Sequence, residues 1–169
     1  IKMAPLVIEL KKYKEFDVKT IVTAQHRQML DQVLELFEIT PDYDLDLMKE
    51  NQNLWELTSD ILLKTKDVLD KEKPDIVLVH GDTTTAFATS LSAFYSKIKI
   101  GHVEAGLRTF DKFYPYPEEM NRVFADYVTD FYFAPTDRAY NNLLNENCKK
   151  ENIYKTGNTV IDALLWTIK

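Results

Sequence analysis

The sequence has a single cysteine, no long apolar run and no excess of basic charge, and each shortage removes a class of protein. With Cys148 alone, no intrachain disulfide can form, which suits a reducing cytoplasm. No apolar stretch approaches the roughly twenty residues of a membrane-spanning helix, and no leader with a charged and then an apolar part is visible. The formal net charge of -6 argues against nucleic acid or an anionic membrane as the main partner. An anionic small ligand stays open, because backbone N–H groups and a few local cations hold phosphates whatever the net charge. Neither a GxGxxG dinucleotide loop nor a GxxxxGK[ST] phosphate loop is present, and no His/Cys cluster has metal-ligand spacing. Cys148 lies beside Lys149 and Lys150, which leaves open a reactive thiol or an inert surface cysteine.

What remains has the composition of a soluble globular domain, 45% hydrophobic and 28% charged over 169 residues. A short opening helix carries Leu6, Val7, Ile8 and Leu10, and residues 18–24 then read as a strand. Met29, Leu30, Val33, Leu34 and Phe37 share one helical face, residues 41–46 are polar and turn-like, and a second amphipathic helix carries Leu54, Leu57, Ile61, Leu62, Val68 and Leu69. Ile76–His80 is a continuous apolar run, as in a strand buried on both faces. The alternation continues with a helix over 84–95, a strand over 98–103, a helix over 117–127, a strand over 131–134, a helix over 137–145, a strand over 153–155 and a last helix over 160–168. Such alternation predicts an α/β fold: a Rossmann-like, doubly wound parallel sheet in one domain, residues 1–169. No strand precedes the opening helix, so the first strand, central in such sheets, is expected to be missing from the chain.

Ligands in doubly wound sheets bind beyond the carboxyl ends of the strands, where four polar clusters occur. Gln25-His26-Arg27-Gln28 fits either a solvated helix cap or a ligand contact. In His80-Gly81-Asp82-Thr83-Thr84-Thr85 a carboxylate follows a buried strand directly, as a helix cap or as part of a site. In Gly101-His102-Val103-Glu104-Ala105-Gly106-Leu107-Arg108, His102 and Glu104 are expected on one strand face, either as an internal pair or as a working pair, because burying both is costly otherwise. His102 and Arg108 are read as substrate-binding. Pro115-Tyr116-Pro117-Glu118-Glu119-Met120-Asn121-Arg122 opens a helix whose dipole alone could explain both glutamates. Asp82, Glu104 and Glu118 together offer three carboxylates at one sheet edge, a set suited to acid/base work on a sugar or similar polyol.

The strings IKMAPLV, VTAQHRQMLDQVLELF, PDYDLDLM, DIVLVHGDTTTAFATSLSAFY, GHVEAGLRT, YPYPEEMNR and TGNTVIDALL, spread from Ile1 to Leu165, resemble in order and spacing the non-hydrolysing UDP-N-acetylglucosamine 2-epimerases. The resemblance implies one half of a GT-B architecture, with a second Rossmann-like domain supplying a catalytic histidine and most of the UDP grip. It implies reversible conversion of UDP-GlcNAc to UDP-ManNAc for cell-surface polysaccharide synthesis in the cytoplasm, through UDP elimination, 2-acetamidoglucal and re-addition, with no cofactor and no metal. On the matching positions the resemblance implies that Asp82, Glu104 and Glu118 are the catalytic carboxylates and that Lys2 contacts phosphate. It also implies that Gln25 and Gln28 contact a second UDP-GlcNAc acting as effector, and that the protein is a homodimer. Asn51 stands where the effector site would carry an arginine. A hydrolysing epimerase that releases free ManNAc and UDP is the alternative enzyme, and an inactive dimerisation or interaction module the alternative of another kind. Because UDP binding energy drives this chemistry, the purified 169-residue chain is expected to form no UDP-ManNAc. Detection of that product by nucleotide-sugar chromatography would contradict the expectation.

Overall fold

The computed structural model describes residues 1–24, 27–47 and 52–168, which fall into two compact units. The first unit takes in residues 1–52 and 158–169. It contains helix α1 (Ala4–Leu10), strand β1 (Ile21–Val22), helix α2 (Arg27–Leu36), strand β2 (Tyr43–Asp44) and, from the far end of the chain, helix α7 (Val160–Thr167). Its core gathers Ala4, Phe37 and Ala163 with Ile8, Val33 and Ile39 packed around them. Phe37 also meets Trp166, ring centroids 6.5 Å apart.

Two expectations change in this unit. The strand read over 18–24 is only two residues long, and the stretch read as a turn, 41–46, contains its parallel partner β2. The acidic residues around β2 hid it. Asp42 accepts the Thr20 amide at 2.7 Å, and Arg27 forks onto Asp44 at 2.6 and 3.0 Å and reaches Asp46 at 2.8 Å. Paired this way, the carboxylates stabilise a short strand that hydrophobicity alone does not announce.

The second unit, residues 53–157, holds helix α3 (Leu54–Glu72), strand β3 (Ile76–His80), helix α4 (Thr84–Tyr95), strand β4 (Lys99–Val103), helix α5 (Glu118–Val128), strand β5 (Phe131–Ala134), helix α6 (Asp137–Asn145), a 3₁₀ turn (Lys150–Asn152) and strand β6 (Ile153–Lys155). All four strands are parallel, in the order β3-β4-β5-β6, with Ile76 opposite Lys99, Gly101 opposite Phe131 and Tyr132 opposite Ile153. Parallel strands adjacent in both sequence and space are joined by crossovers that are right-handed as a rule, which puts α4, α5 and α6 on one side of the sheet.

Local chemistry sets the helix ends. Asn53, Thr83 and Thr136 cap α3, α4 and α6 by accepting the amides of Glu56, Ala86 and Ala139. Lys73 closes α3 in the left-handed conformation just before Pro74. The small residues of α4 allow close helix packing, and Ser92 Oγ donates to the Leu62 carbonyl of α3 at 3.2 Å. One core cluster joins Leu69, Val79, Ala86, Ala93 and Ile100, and another joins Ala105, Tyr132, Ala134, Ala139, Leu143 and Ile153. Among the described residues no helix is long and apolar enough to cross a membrane.

Two glycines sit where a side chain would intrude, with different consequences. A Cβ on Gly101 would lie 2.6 Å from Leu78 Cδ2 and 3.1 Å from Phe133 Cε2, both ends of movable side chains. On Gly106, at φ +83°, it would collide with the Ala139 carbonyl, which is backbone. Gly106→Ala is therefore expected to cost about 2–4 kcal/mol in urea unfolding, from backbone conformation and overpacking together. Gly101→Ala is expected to cost about 1 kcal/mol, the price of a shifted rotamer. Equal losses for the two would contradict the difference.

Candidate functional site

The carboxyl ends of β3 and β4 lead into the turns that carry Asp82 and Glu104. Beyond β3 the chain turns at Gly81, φ +68°, whose amide donates to the Val103 carbonyl at 2.9 Å, and then presents Asp82. Beyond β4, Glu104 takes a left-handed backbone at φ +67°, and both its amide and that of Ala105 donate to the Phe133 carbonyl, at 3.0 and 3.2 Å. A non-glycine residue in that conformation carries strain of about 1–2 kcal/mol. The left-handed step also ends the strand alternation expected to put His102 and Glu104 on one face.

The three carboxylates differ in surroundings. The Asp82 side chain is 34% exposed and lies 3.3 Å from Arg122 Nη2. Its backbone carbonyl accepts Asn121 Nδ2 at 3.0 Å. The Glu104 side chain is 12% exposed, and its Oε2 lies 3.7 Å from His80 Nε2. Its Oε1 is 3.9 Å from where a Gly81 Cβ would be, so the carboxylate hangs over the turn leading to Asp82. Glu118, half-buried, is the first residue of α5. Its carbonyl accepts Arg122 Nε at 3.4 Å. Arg122 thus joins Asp82 to the first turn of α5.

The paired glutamates at the start of α5 separate into two environments. Glu119 is buried, and its Oε1 accepts the amides of Thr109 and Phe110 at 2.9 Å each while its Oε2 faces Arg122 Nε at 3.3 Å. It anchors the base of the loop that carries the exposed rings of Phe110, Phe113, Tyr114 and Tyr116.

His102 and Arg108 lie inside the protein. The His102 side chain is 0% exposed, its Nδ1 is 2.6 Å from Asp126 Oδ1, and its Nε2 is 2.7 Å from the Gly81 carbonyl. Arg108 donates to Asp126 Oδ2 at 2.7 Å, forks onto Glu146 at 2.7 and 2.6 Å, and donates to the Leu107 carbonyl at 2.8 Å. Neither ring nitrogen of His102 is left for a ligand. Asp126 also accepts the Gly106 amide at 3.2 Å, and its own carbonyl accepts the Tyr132 hydroxyl at 3.1 Å.

Lys2 and Gln28 belong to the first unit, where Lys2 is half-buried and Gln28 is exposed on α2. Gln25 and Asn51 lie outside the described residues. Cys148 is half-buried, and burial pushes its thiol up from the ordinary value, against the reading of a reactive thiolate. Among the described residues no cluster of His, Cys, Asp and Glu could hold a metal ion. Clefts of about 420 Å³ beside Leu34 and Pro41 and about 360 Å³ beside Tyr132 and Cys148 both exclude the three carboxylates.

Burial opposes charge on Asp126, but His102 and Arg108 outweigh it and hold the carboxyl below its usual range. Burial likewise opposes charge on His102, and Asp126, with the Gly81 carbonyl, holds the ring above its usual range. Asp126 therefore contributes stability that is present above the ordinary Asp pKa of about 3.9 and is lost as pH falls through its folded value. His102 contributes stability that is present below the ordinary value of about 6.5 and is lost as pH rises through its folded value. Asp126→Asn leaves two buried cations short of a partner, and is expected to remove about 3–5 kcal/mol in urea unfolding at neutral pH. It is also expected to flatten the acid limb of the stability profile. A loss under about 1 kcal/mol would contradict this account of the cluster.

A sequence-family model described as UDP-N-acetylglucosamine 2-epimerase matches residues 8–169. The UDP-N-acetylglucosamine 2-epimerase of Bacillus subtilis (strain 168) is 60% identical over 169 residues, all of this chain and 44% of that protein. The enzyme of the same name from Neisseria meningitidis serogroup A is 54% identical, over all of this chain and 45% of its own length. The crystal structure of a Neisseria meningitidis UDP-GlcNAc 2-epimerase bound to UDP-GlcNAc superposes with a TM-score of 0.96, covering 99% of this chain and 45% of that one. That of the Methanocaldococcus jannaschii enzyme in complex with UDP-GlcNAc and UDP superposes with a TM-score of 0.90 at 41% identity, covering 97% of this chain and 45% of that one. The chain spans less than half the length of these relatives.

Proposed function

Since the chain belongs to the UDP-N-acetylglucosamine 2-epimerase family, we propose that the full-length protein interconverts UDP-GlcNAc and UDP-ManNAc without net hydrolysis. The observation that carries this reading is the placement of Asp82 and Glu104 on turns beyond adjacent parallel strands, with Glu118 joined to Asp82 through Arg122. Inversion at C2 needs a proton removed from one face of the sugar ring and returned to the other. As the C2–H bond breaks, its electron pair forms the C1–C2 double bond of 2-acetamidoglucal, and UDP leaves C1 with the electrons of the C–O bond. In the return step UDP adds back to C1 and a proton reaches C2 from the opposite face.

Carboxylates on separate rigid turns suit this chemistry, because proton transfer at two faces requires groups held apart and aimed inward. Arg122, 3.3 Å from Asp82, ties that carboxylate to α5. The second Rossmann-like domain of a GT-B protein would close over these residues and supply the histidine and the UDP grip. On the same reading Lys2 contacts phosphate, Gln25 and Gln28 contact a second UDP-GlcNAc as effector, and the protein is a cytoplasmic homodimer. His102 and Arg108 support the site from behind.

In the full-length protein Asp82→Asn, Glu104→Gln and Glu118→Gln are each expected to lower kcat by about 10²–10⁴ with much smaller changes in KM. The wild type is expected to reach an equilibrium of UDP-GlcNAc and UDP-ManNAc. Free ManNAc with UDP as the products would replace this reading with hydrolysis, and unchanged kcat in all three variants would remove the carboxylates from the mechanism.

A further inference from the structure

Both ring nitrogens of His102 approach oxygen atoms that have no proton to give. Nε2 is 2.7 Å from the Gly81 carbonyl, which only accepts, so Nε2 carries a hydrogen. Nδ1 is 2.6 Å from Asp126 Oδ1. That carboxylate also takes Arg108 Nη2 at 2.7 Å and the Gly106 amide at 3.2 Å, both on Oδ2, a set of partners that fits the ionised form. Nδ1 therefore carries a hydrogen too. A neutral imidazole has one N–H and would set lone pair against lone pair at one of these two contacts.

The charges around the ring balance. His102 and Arg108 are positive, and Asp126 and Glu146 negative, with the Arg108–Glu146 fork closing the set. A buried cation is tolerable only in such company. The elements packed around the ring contribute Asp126 from α5, Arg108 from the loop after β4, Glu146 from the end of α6, and the Tyr132 hydroxyl from β5 on the Asp126 carbonyl.

We infer that His102 is held as an imidazolium whose two N–H bonds brace the Gly81 turn against α5, which makes His102 and Asp126 positioning residues for Asp82. The carbonyl that His102 holds belongs to the peptide joining Gly81 to Asp82, so the brace sets the plane from which Asp82 departs. The charged state of the ring stands on its own geometry; its consequence for catalysis rests on the proposed role of Asp82.

Proton and nitrogen NMR of the histidine-labelled 169-residue chain tests the ring directly. His102 is expected to show two ring N–H protons and two imidazolium nitrogens throughout pH 5–8, roughly the range in which an ordinary histidine loses its charge. One N–H with a neutral-tautomer nitrogen, or a ring that titrates across that range, overturns the inference. In Asp126→Asn the second N–H signal is expected to disappear and the Asp82 amide to shift, while an imidazolium that persists overturns the part given to Asp126. In the full-length protein His102→Gln is expected to lower kcat about 10- to 100-fold with KM little changed, and wild-type kcat in that variant overturns the positioning role. A wild-type protein without epimerase activity would defeat the proposed function and leave the NMR result to decide the ring.

Discussion

The carboxylate of Asp126 is the point on which the second unit is organised. It sits eight residues beyond Glu118 on α5, about 12 Å along the helix axis. From there it holds His102 on β4, Arg108 and Gly106 in the following loop and, through His102, the turn beyond β3. Each element that carries one of the three carboxylates is therefore tied to one buried anion. Without cations around it, a carboxylate so deeply buried would cost several kcal/mol; with them it fixes several loops at once. The same cluster makes the local fold sensitive to loss of any single member.

Around this anchor the site is built from opposed demands. Glu104 accepts a left-handed backbone, which brings its carboxylate back over Gly81 instead of letting the strand continue. Glu119 gives up exposure to anchor the aromatic loop, while its neighbour Glu118 stays half-buried at the helix start. Arg122 spans the gap between the first turn of α5 and Asp82. Strands thus carry Asp82 and Glu104 on turns whose geometry is set from behind by paired charges. The members of this family that the chain matches are more than twice its length.

Much of this was legible from residue pattern. The strands Ile76–His80 and Phe131–Ala134 and the helix Thr84–Tyr95 are where apolar runs and Thr or Pro signals place them. But Ile76–His80, read as buried on both faces, lies at the edge of its four-stranded sheet and buries only Val79. The β1–β2 pair was not legible, since Asp42, Asp44 and Asp46 read as turn residues until Arg27 and the Thr20 amide are seen to pair with them. His102 near the end of β4 and Arg108 in the loop beyond it read as ligand contacts because they lie beside Glu104; spacing does not reveal that both side chains are buried. Asp126 lies outside the four polar clusters, and Arg122 closes one of them without a role that its position alone suggests. One signal was available: Glu119, Arg122 and Asp126 fall three and four residues apart, a charged stripe of alternating sign on the face that an α/β helix buries.

If Asp126 couples the loops, its loss must be felt beyond its own contacts. Amide hydrogen exchange in Asp126→Asn, compared with wild type, reads this residue by residue. The Gly106 amide, which loses its direct acceptor, exchanges faster on any account. The coupling predicts that the amides of Gly81 and Glu104, bonded to Val103 and Phe133, also exchange faster while those in the middle of α3 keep their protection. Faster exchange at Gly106 alone would mean that Asp126 holds one loop and that the three carboxylates are positioned independently.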